Sequence, residues 1–242
     1  MTTQITKKTV LSFGKGNAKL GKKVLTFSLP AGHSCPFALD CLSKADQETG
    51  KITDGKATVF RCFAASSEAV YKNVRLSRWS NFDLLRSAKT AENMTNLILQ
   101  SLPKKFDIVR IHVSGDFFNM DYLHAWVNVA KLHPNSLFYA YTKSLVYLIG
   151  LELPENLNIT ASKGGKLDNL INKHNLKFAE VVYSEQEAKD KGLSIDHDDS
   201  HAMNGKNSFA LLIHGTQPKG SKGSKAIKEM KANGTKFSYS NK

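Results

Sequence analysis

Six short apolar segments alternate along this chain with stretches of helical periodicity, and that alternation narrows the fold more than any other feature. The segments are Val24 to Leu29, Ile108 to Val113, Leu137 to Thr142, Leu157 to Ser162, Phe178 to Tyr183 and Phe209 to His214. Each is rich in β-branched and aromatic residues and closes in turn-forming residues, so each reads as a strand. Their nearly continuous apolar character is the pattern of strands covered on both faces. Met120, Leu123, Trp126, Val127 and Ala130 recur at helical spacing until Pro134 stops the run. Ser184 with Glu187 three residues on is a capping box, opening a helix that ends before Gly192. Two more helical stretches, Ala64 to Arg86 and Thr90 to Leu102, fill the long gap between the first two strands. The expectation is an α/β protein on a parallel sheet with helices outside, as a partial (β/α)6 barrel rather than a doubly wound sheet.

The 242 residues suit one such domain, placed at 24–216 with a cysteine loop at 30–65. Residues 1–23 carry six Lys and no acid, and read as a flexible basic arm; residues 217–242 hold seven Lys against Glu229 and read as a basic tail. The net charge of +13 favours polyanionic partners such as nucleic acid. With 29 Lys and only 5 Arg, contact through the Lys-rich arms would be nonspecific, because base reading and bidentate phosphate clamping are arginine work. A solvated coat of lysines is the plainer alternative. The longest nearly apolar stretch, Leu145 to Leu153, is far short of the roughly 18 residues a membrane helix needs. Met1 to Lys8 lacks a signal core, so a soluble, intracellular protein with no membrane partner is expected.

Cys35, Cys41 and Cys62 are the only cysteines. An odd number without a secretion signal argues against a disulfide framework. Three thiolates on one loop suit an iron–sulfur core or zinc. A 4Fe-4S cluster with three cysteines leaves one iron open to another ligand. Zinc would make a closed Cys3His site, with His33, His112 or His214 as fourth ligand. The third possibility is three inert buried thiols.

In a parallel α/β protein the loops after the strands open on one rim, where sites are built. There the chain places Ser114, Gly115 and Asp116, then Thr142, Lys143 and Ser144, then SKGGK (Ser162 to Lys166), then His214 to Thr216. Asp116 could bind an ammonium or hydroxyl group, with Gly115 letting a ligand approach the backbone; alternatively Asp116 or Asn119 caps the next helix. Gly164, Gly165 and Lys166 could hold an anion through backbone N–H groups and the lysine. His112 reads as a core histidine. His197, Asp198, Asp199 and His201 read as a solvated acidic loop.

NAKL (Asn17 to Leu20), FSLPAGHSCP (Phe27 to Pro36), RCFAA (Arg61 to Ala65), RIHVSGDFF (Arg110 to Phe118), the Tyr122/Leu123/Trp126 helix, FYAYTKS (Phe138 to Ser144) and SKGGK stand in this order. Together they resemble the bacteriophage family called gene product 88, over about Asn17 to Ala202. That family's pattern of Cys-Pro, a later Cys and Cys-aromatic-Ala matches Cys35-Pro36, Cys41 and Cys62-Phe63-Ala64. The resemblance implies a phage origin, hence the host cytoplasm, and a cysteine pattern shared with the family; it implies no particular reaction. A broader similarity is to radical S-adenosylmethionine enzymes, whose partial barrels hold a three-cysteine cluster after the first strand and a Gly-Gly-Glu-Pro-like motif after the second. Ser114 to Phe117 occupies that second place, with Asp for Glu, and the cysteine gaps are five and twenty rather than three and two. The expected function is therefore a 4Fe-4S protein with Cys35, Cys41 and Cys62 as metal ligands and an open iron. Ser114, Gly115, Asp116, Lys143 and Gly164 to Lys166 are its candidate contacts to a cofactor such as S-adenosylmethionine. The competing expectations are a zinc-stapled, nonspecific nucleic-acid-binding protein and a protein that disables a host or phage partner by surface contact near Asp196 to Asp199.

Overall fold

The computed structural model describes residues 9–16, 20 and 23–235. In chain order the elements are β1 (Gly14–Lys15), β2 (Val24–Ser28), β3 (Ser43–Ala45), β4 (Ile52–Asp54), α1 (Phe63–Val70), α2 (Lys72–Ala88), α3 (Ala91–Ser101) and β5 (Ile108–Ser114). There follow α4 (Met120–Leu132), β6 (Leu137–Thr142), a short 3-10 turn at Leu145–Leu148, β7 (Leu157–Ser162), α5 (Asn169–Lys173) and β8 (Phe178–Val182). The chain continues through α6 (Glu185–Asp190), β9 (Ser194–Ile195), α7 (Ser200–Met203), β10 (Phe209–Leu212) and α8 (Lys222–Ala232).

The six expected strands form as β2, β5, β6, β7, β8 and β10. They lie side by side in chain order and all run parallel, within an eight-stranded sheet ordered β1-β2-β5-β6-β7-β8-β10-β9. A doubly wound sheet reverses its strand order at a switch point, and these six strands do not. It is open, with β1 paired antiparallel to β2 at one edge and β9 at the other. No strand pairing closes it into a barrel among the described residues. The architecture is a mixed α/β fold with a mostly parallel sheet flanked by helices.

One layer of the core lies between the sheet and α3 and α4. Phe27, Val109, Ile111 and Phe138 from the strands meet Met94 and Ile98 of α3 and Tyr122, Leu123 and Trp126 of α4. The apolar stripe read from the α4 sequence is the buried face. Trp126 is fully enclosed, 5.6 Å from the Phe27 ring and 6.4 Å from that of Phe138. Asn119 caps α4 by accepting a hydrogen bond from the Tyr122 N–H at 2.9 Å. Ser184 caps α6 through the Glu187 N–H, and Glu187 Oε2 accepts the Tyr183 N–H at 2.9 Å. That is one residue upstream of the reciprocal bond expected of a capping box.

Both basic ends are corrected in part. Leu11 is buried, its N–H bonded to Ser101 Oγ, and the Phe13 ring lies 5.0 Å from Phe27, so the segment before β2 is an edge strand fastened to the core. The rest of the expected arm lies largely outside the described residues, as does NAKL apart from Leu20. In the tail, α8 buries Ala226 and Met230 against Val182, Ala210 and Ile213. The lysine excess hid these few apolar residues. The long helix expected over Ala64 to Arg86 is two helices, broken at Tyr71, whose backbone is extended.

Between Thr26 and Ser28 of β2, β5 carries two extra residues, since Arg110 and Ser114 are the respective partners. The bulge contains His112 at φ 74°, in the left-handed region. Such insertions bend a strand and re-aim its side chains, here just before the rim. Removing the Trp126 ring should cost about 3–5 kcal/mol, the range for buried large-to-small changes. Urea denaturation of Trp126→Ala checks this value.

Candidate functional site: a cysteine-lined cavity at the strand ends

The carboxyl ends of β5, β6, β7 and β10 and the cysteine loop surround one cavity of about 790 Å³. Cys35, Cys41 and Cys62 all line it, together with Ser114, Gly115, Asp116, Thr142, Lys143 and Ser162. The cysteines are unpaired and half-buried. Burial raises all three thiols, Cys62 to about 12, and the charges of neighbours add to it: Asp116, Cys62 and Cys41 act on Cys35, and Cys41 acts on Cys62. The metal-free thiols are therefore protonated at neutral pH, and soft-metal binding must displace those protons. As they stand, no three His, Cys, Asp or Glu side chains among the described residues are gathered tightly enough to hold a single metal ion.

The rim is assembled by a sequence of buried polar contacts. Asp116, almost wholly buried, accepts hydrogen bonds from the Phe117 N–H (2.7 Å), the Thr142 hydroxyl and the Lys143 N–H (2.8 Å). It joins the end of β5 to the end of β6. Lys143 Nζ spends its three donors on Ser162 O, Ser162 Oγ and Lys163 O, at 3.0, 2.8 and 2.6 Å, joining β6 to β7. The loop after β7 then holds the cysteine loop. Gly164 O accepts the Leu39 and Asp40 N–H groups, Lys166 N–H donates to Phe37 O, and Lys166 Nζ donates to Pro36 O.

These contacts decide what the candidate residues do here. Gly164, Gly165 and Lys166 do not line the cavity. The amides of Gly164 and Gly165 donate to the Asp168 carboxylate at 2.7 and 2.8 Å, so the anion expected of SKGGK is a side chain of this protein. Lys143 lines the cavity, but its ammonium is committed to the β7 loop. A Cβ on Gly115 would stand 2.6 Å from Leu29 Cβ and from Ser34 Oγ, so its small size serves close packing of the cysteine loop. Of the helix-cap alternatives, Asn119 is the cap and Asp116 pairs across the strand ends.

The three histidines proposed as a fourth ligand separate. His33 pairs with Ala45 O at 3.0 Å and packs on Trp79, away from the cavity. His214 lines the cavity, stacked 3.7 Å from the Phe63 ring. His112 also lines it; Nε2 meets the Tyr122 hydroxyl at 2.9 Å, and Nδ1 has no hydrogen-bond partner. Burial and Arg110 lower its pKa to about 3, so the ring is neutral.

The expected solvated acidic loop is so only in part: His197 and Asp198 are exposed, while the carboxylates on either side of them are not. Asp199 is fully buried against the sheet, bound by Arg110 Nη1 at 2.6 Å, Tyr139 OH at 3.0 Å and Tyr141 OH at 3.2 Å. Asp196 is buried as well. Arg110 in β5 faces this side of the sheet, and a buried carboxylate follows its charge inward. The sequence offered no adjacency between residues 89 positions apart.

Two fastenings were also missed. Glu68 Oε1 accepts from Arg78 Nη1 (2.7 Å), the Ala31 N–H (2.9 Å) and Ser114 Oγ (3.2 Å), tying α1 and α2 to the cysteine loop. Gln217 exchanges two hydrogen bonds with the Arg61 backbone, at 2.9 and 3.1 Å, and so locks Cys62 to the segment after β10. Neither pair has a sequence signal, because each joins distant parts of the chain.

Chain-ordered parallel strands, with three thiols converging over their carboxyl ends, define an α/β protein whose site is a cysteine-lined cavity. Residues 8–237 match the family described as Gene product 88, and the chain belongs to it. It is similar to the Gene 88 protein of Mycobacterium phage L5, 29% identical over 211 residues, covering 82% of this chain and 75% of that one. The Gene 88 protein of Mycobacterium phage D29 is 29% identical over 178 residues, covering 64% and 67%. These relatives support a bacteriophage origin. The comparisons lend no support to a radical S-adenosylmethionine relationship, and no solved structure matches. No helix among the described residues is long and apolar enough to cross a membrane.

Burial lifts Asp116 to about 6 against the hydrogen bonds it accepts. A carboxyl whose folded pKa exceeds its unfolded value stabilises the fold while protonated, so stability falls as pH rises from about 4 to about 6. For the metal-free protein the loss at this group is about 3 kcal/mol at 1.36 kcal/mol per unit. Urea denaturation at several pH values should show this slope in the wild type and lose it in Asp116→Asn.

Proposed function

We propose that this protein is an iron–sulfur protein in which Cys35, Cys41 and Cys62 hold a 4Fe-4S cluster at the mouth of the sheet. The observation that carries the reading is that all three thiols, spread over a 28-residue loop, line one wall of a single cavity within electrostatic reach of one another. The donor set is soft and unpaired, which suits an iron–sulfur core, with zinc as the alternative. Three thiolates leave one iron open toward the remaining cavity, and when bound such a cluster supplies one-electron chemistry at that iron. In this reading the sheet curls as a partial (β/α)6 barrel, its loops forming the rim.

The chain's own residues hold the ligands in place. Lys166 and Gly164 fix the strand of the loop that carries Cys35 and Cys41, while Gln217 and the Ser43 hydroxyl, which accepts the Cys62 N–H at 3.1 Å, fix Cys62. Asp116 and Thr142 hold two strand ends level beneath it. Phe60, Phe63 and Ile227 line the cavity and limit water there. A small polar molecule, S-adenosylmethionine among those to be tried, would enter beside Ser114 and Asp116. The reducing host cytoplasm would keep the three thiols free for metal.

Anaerobic purification with iron, sulfide and zinc analysis tests the reading. About four iron and four sulfide per chain are expected, with iron content falling by most of its value in Cys35→Ala, Cys41→Ala and Cys62→Ala. Zinc without sulfide, or cysteine variants that keep their iron, would overturn it. Electron paramagnetic resonance of the reduced protein should change on adding a ligand of the open iron; an unchanged spectrum with S-adenosylmethionine removes that cosubstrate.

A further inference from the structure

The cavity over the strand ends has the size of a small-molecule site, and only part of its wall is cysteine. Val181 of β8 and Leu211 of β10 occupy paired positions on adjacent strands, so their side chains share one face of the sheet as an apolar floor. Ile227 adds to it from α8. Phe60 and Phe63, whose rings stack 5.6 Å apart, and Tyr141 of β6 bring three aromatic rings to the walls. Phe63, Val181, Leu211 and Ile227 are only half-buried, so apolar surface stays uncovered inside a concave site.

The charges around this space are matched within the protein, with one exception among the described residues. Arg78 pairs with Glu68 at 2.7 Å and Arg110 with Asp199 at 2.6 Å, while the Lys143 ammonium is held by Ser162 and Lys163. Lys231, near the end of α8, lines the cavity yet is exposed, which places it at the opening, and it forms no ion pair among the described residues. A charged body inside would give up its hydration without meeting an unmatched partner, whereas a neutral apolar body gains by burial.

We propose that this side of the cavity binds a small aromatic carboxylate, its ring on the apolar floor among Phe60, Phe63 and Tyr141 and its carboxylate at the opening against Lys231. The rings of the wall favour an aromatic body, since ring pairs gain beyond the area they bury. One ammonium suits a singly charged head; a phosphate ester, close to doubly charged at neutral pH, would leave charge unmatched. Neither a thiol nor a metal enters the contact, so the site stands or falls separately from the cluster reading.

The test is calorimetry on the full-length protein at low salt with 3-phenylpropionate as probe, beside 3-phenylpropanol, which lacks the charge, and propionate, which lacks the ring. One probe per chain is expected, with propionate weaker by about tenfold or more for want of a buried ring. The alcohol should bind about fivefold more weakly than the acid, the upper range for an exposed ion pair. Lys231→Gln should bring the acid down to the level of the alcohol and leave the alcohol unchanged. Lys228→Gln removes the same charge from an exposed position of α8 outside the cavity and should change neither. Leu211→Trp and Ile227→Trp, made separately so that one folded variant suffices, fill the floor from different elements and should weaken acid and alcohol alike by about tenfold. No binding of the acid, equal binding of acid and alcohol, or equal losses in Lys231→Gln and Lys228→Gln would overturn the site, the last by tracing the affinity to the basic chain as a whole. Affinity that survives both tryptophan variants would also overturn it, by placing the probe elsewhere. Iron measured on the same preparations reports on the cluster reading independently of every one of these outcomes.

Discussion

Asp116 is the group on which the rim depends. One buried carboxylate accepts two backbone N–H bonds and one hydroxyl bond and thereby holds two adjacent strand ends at one level. The next strand is added by Lys143, and the loop after that strand grips the cysteine loop. Each contact sets the position of the one that follows, so the places of Cys35 and Cys41 are determined some distance from the thiols themselves. The cost is desolvation of a carboxylate, visible in its raised pKa; the hydrogen bonds offset part of that cost and the surrounding sheet carries the rest.

The scaffold was largely legible because it depends on short-range pattern. Six apolar runs became six parallel strands, with boundaries differing by at most two residues, and the α4 stripe became a buried face. What escaped was small or depended on partners far along the chain. β1 and β9 are two residues each, too short for a pattern, and β3 and β4 pair only with each other. The break at Tyr71 left the helical periodicity of the sequence intact.

The site was legible as a list and less so as an arrangement. Ser114, Gly115, Asp116, Lys143 and the three cysteines do converge, as parallel topology requires. Their roles differ from those expected of isolated motifs. SKGGK has the amides of an anion site, yet Asp168, two residues past its last lysine, supplies the anion. Asp199 sits in a run of acids that reads as solvent-loving, and only Arg110, Tyr139 and Tyr141 explain its burial. Those partners are distant in sequence, so no local window could have revealed them.

The cysteine loop begins at β2 and ends at α1, and its last stretch is clasped to the segment after β10 by Gln217. Its three thiols thus ride on a strap laid across a sheet whose own core, around Trp126, lies on other elements. Loosening one of those clasps would therefore disturb the thiols while leaving the packing around Trp126 in place.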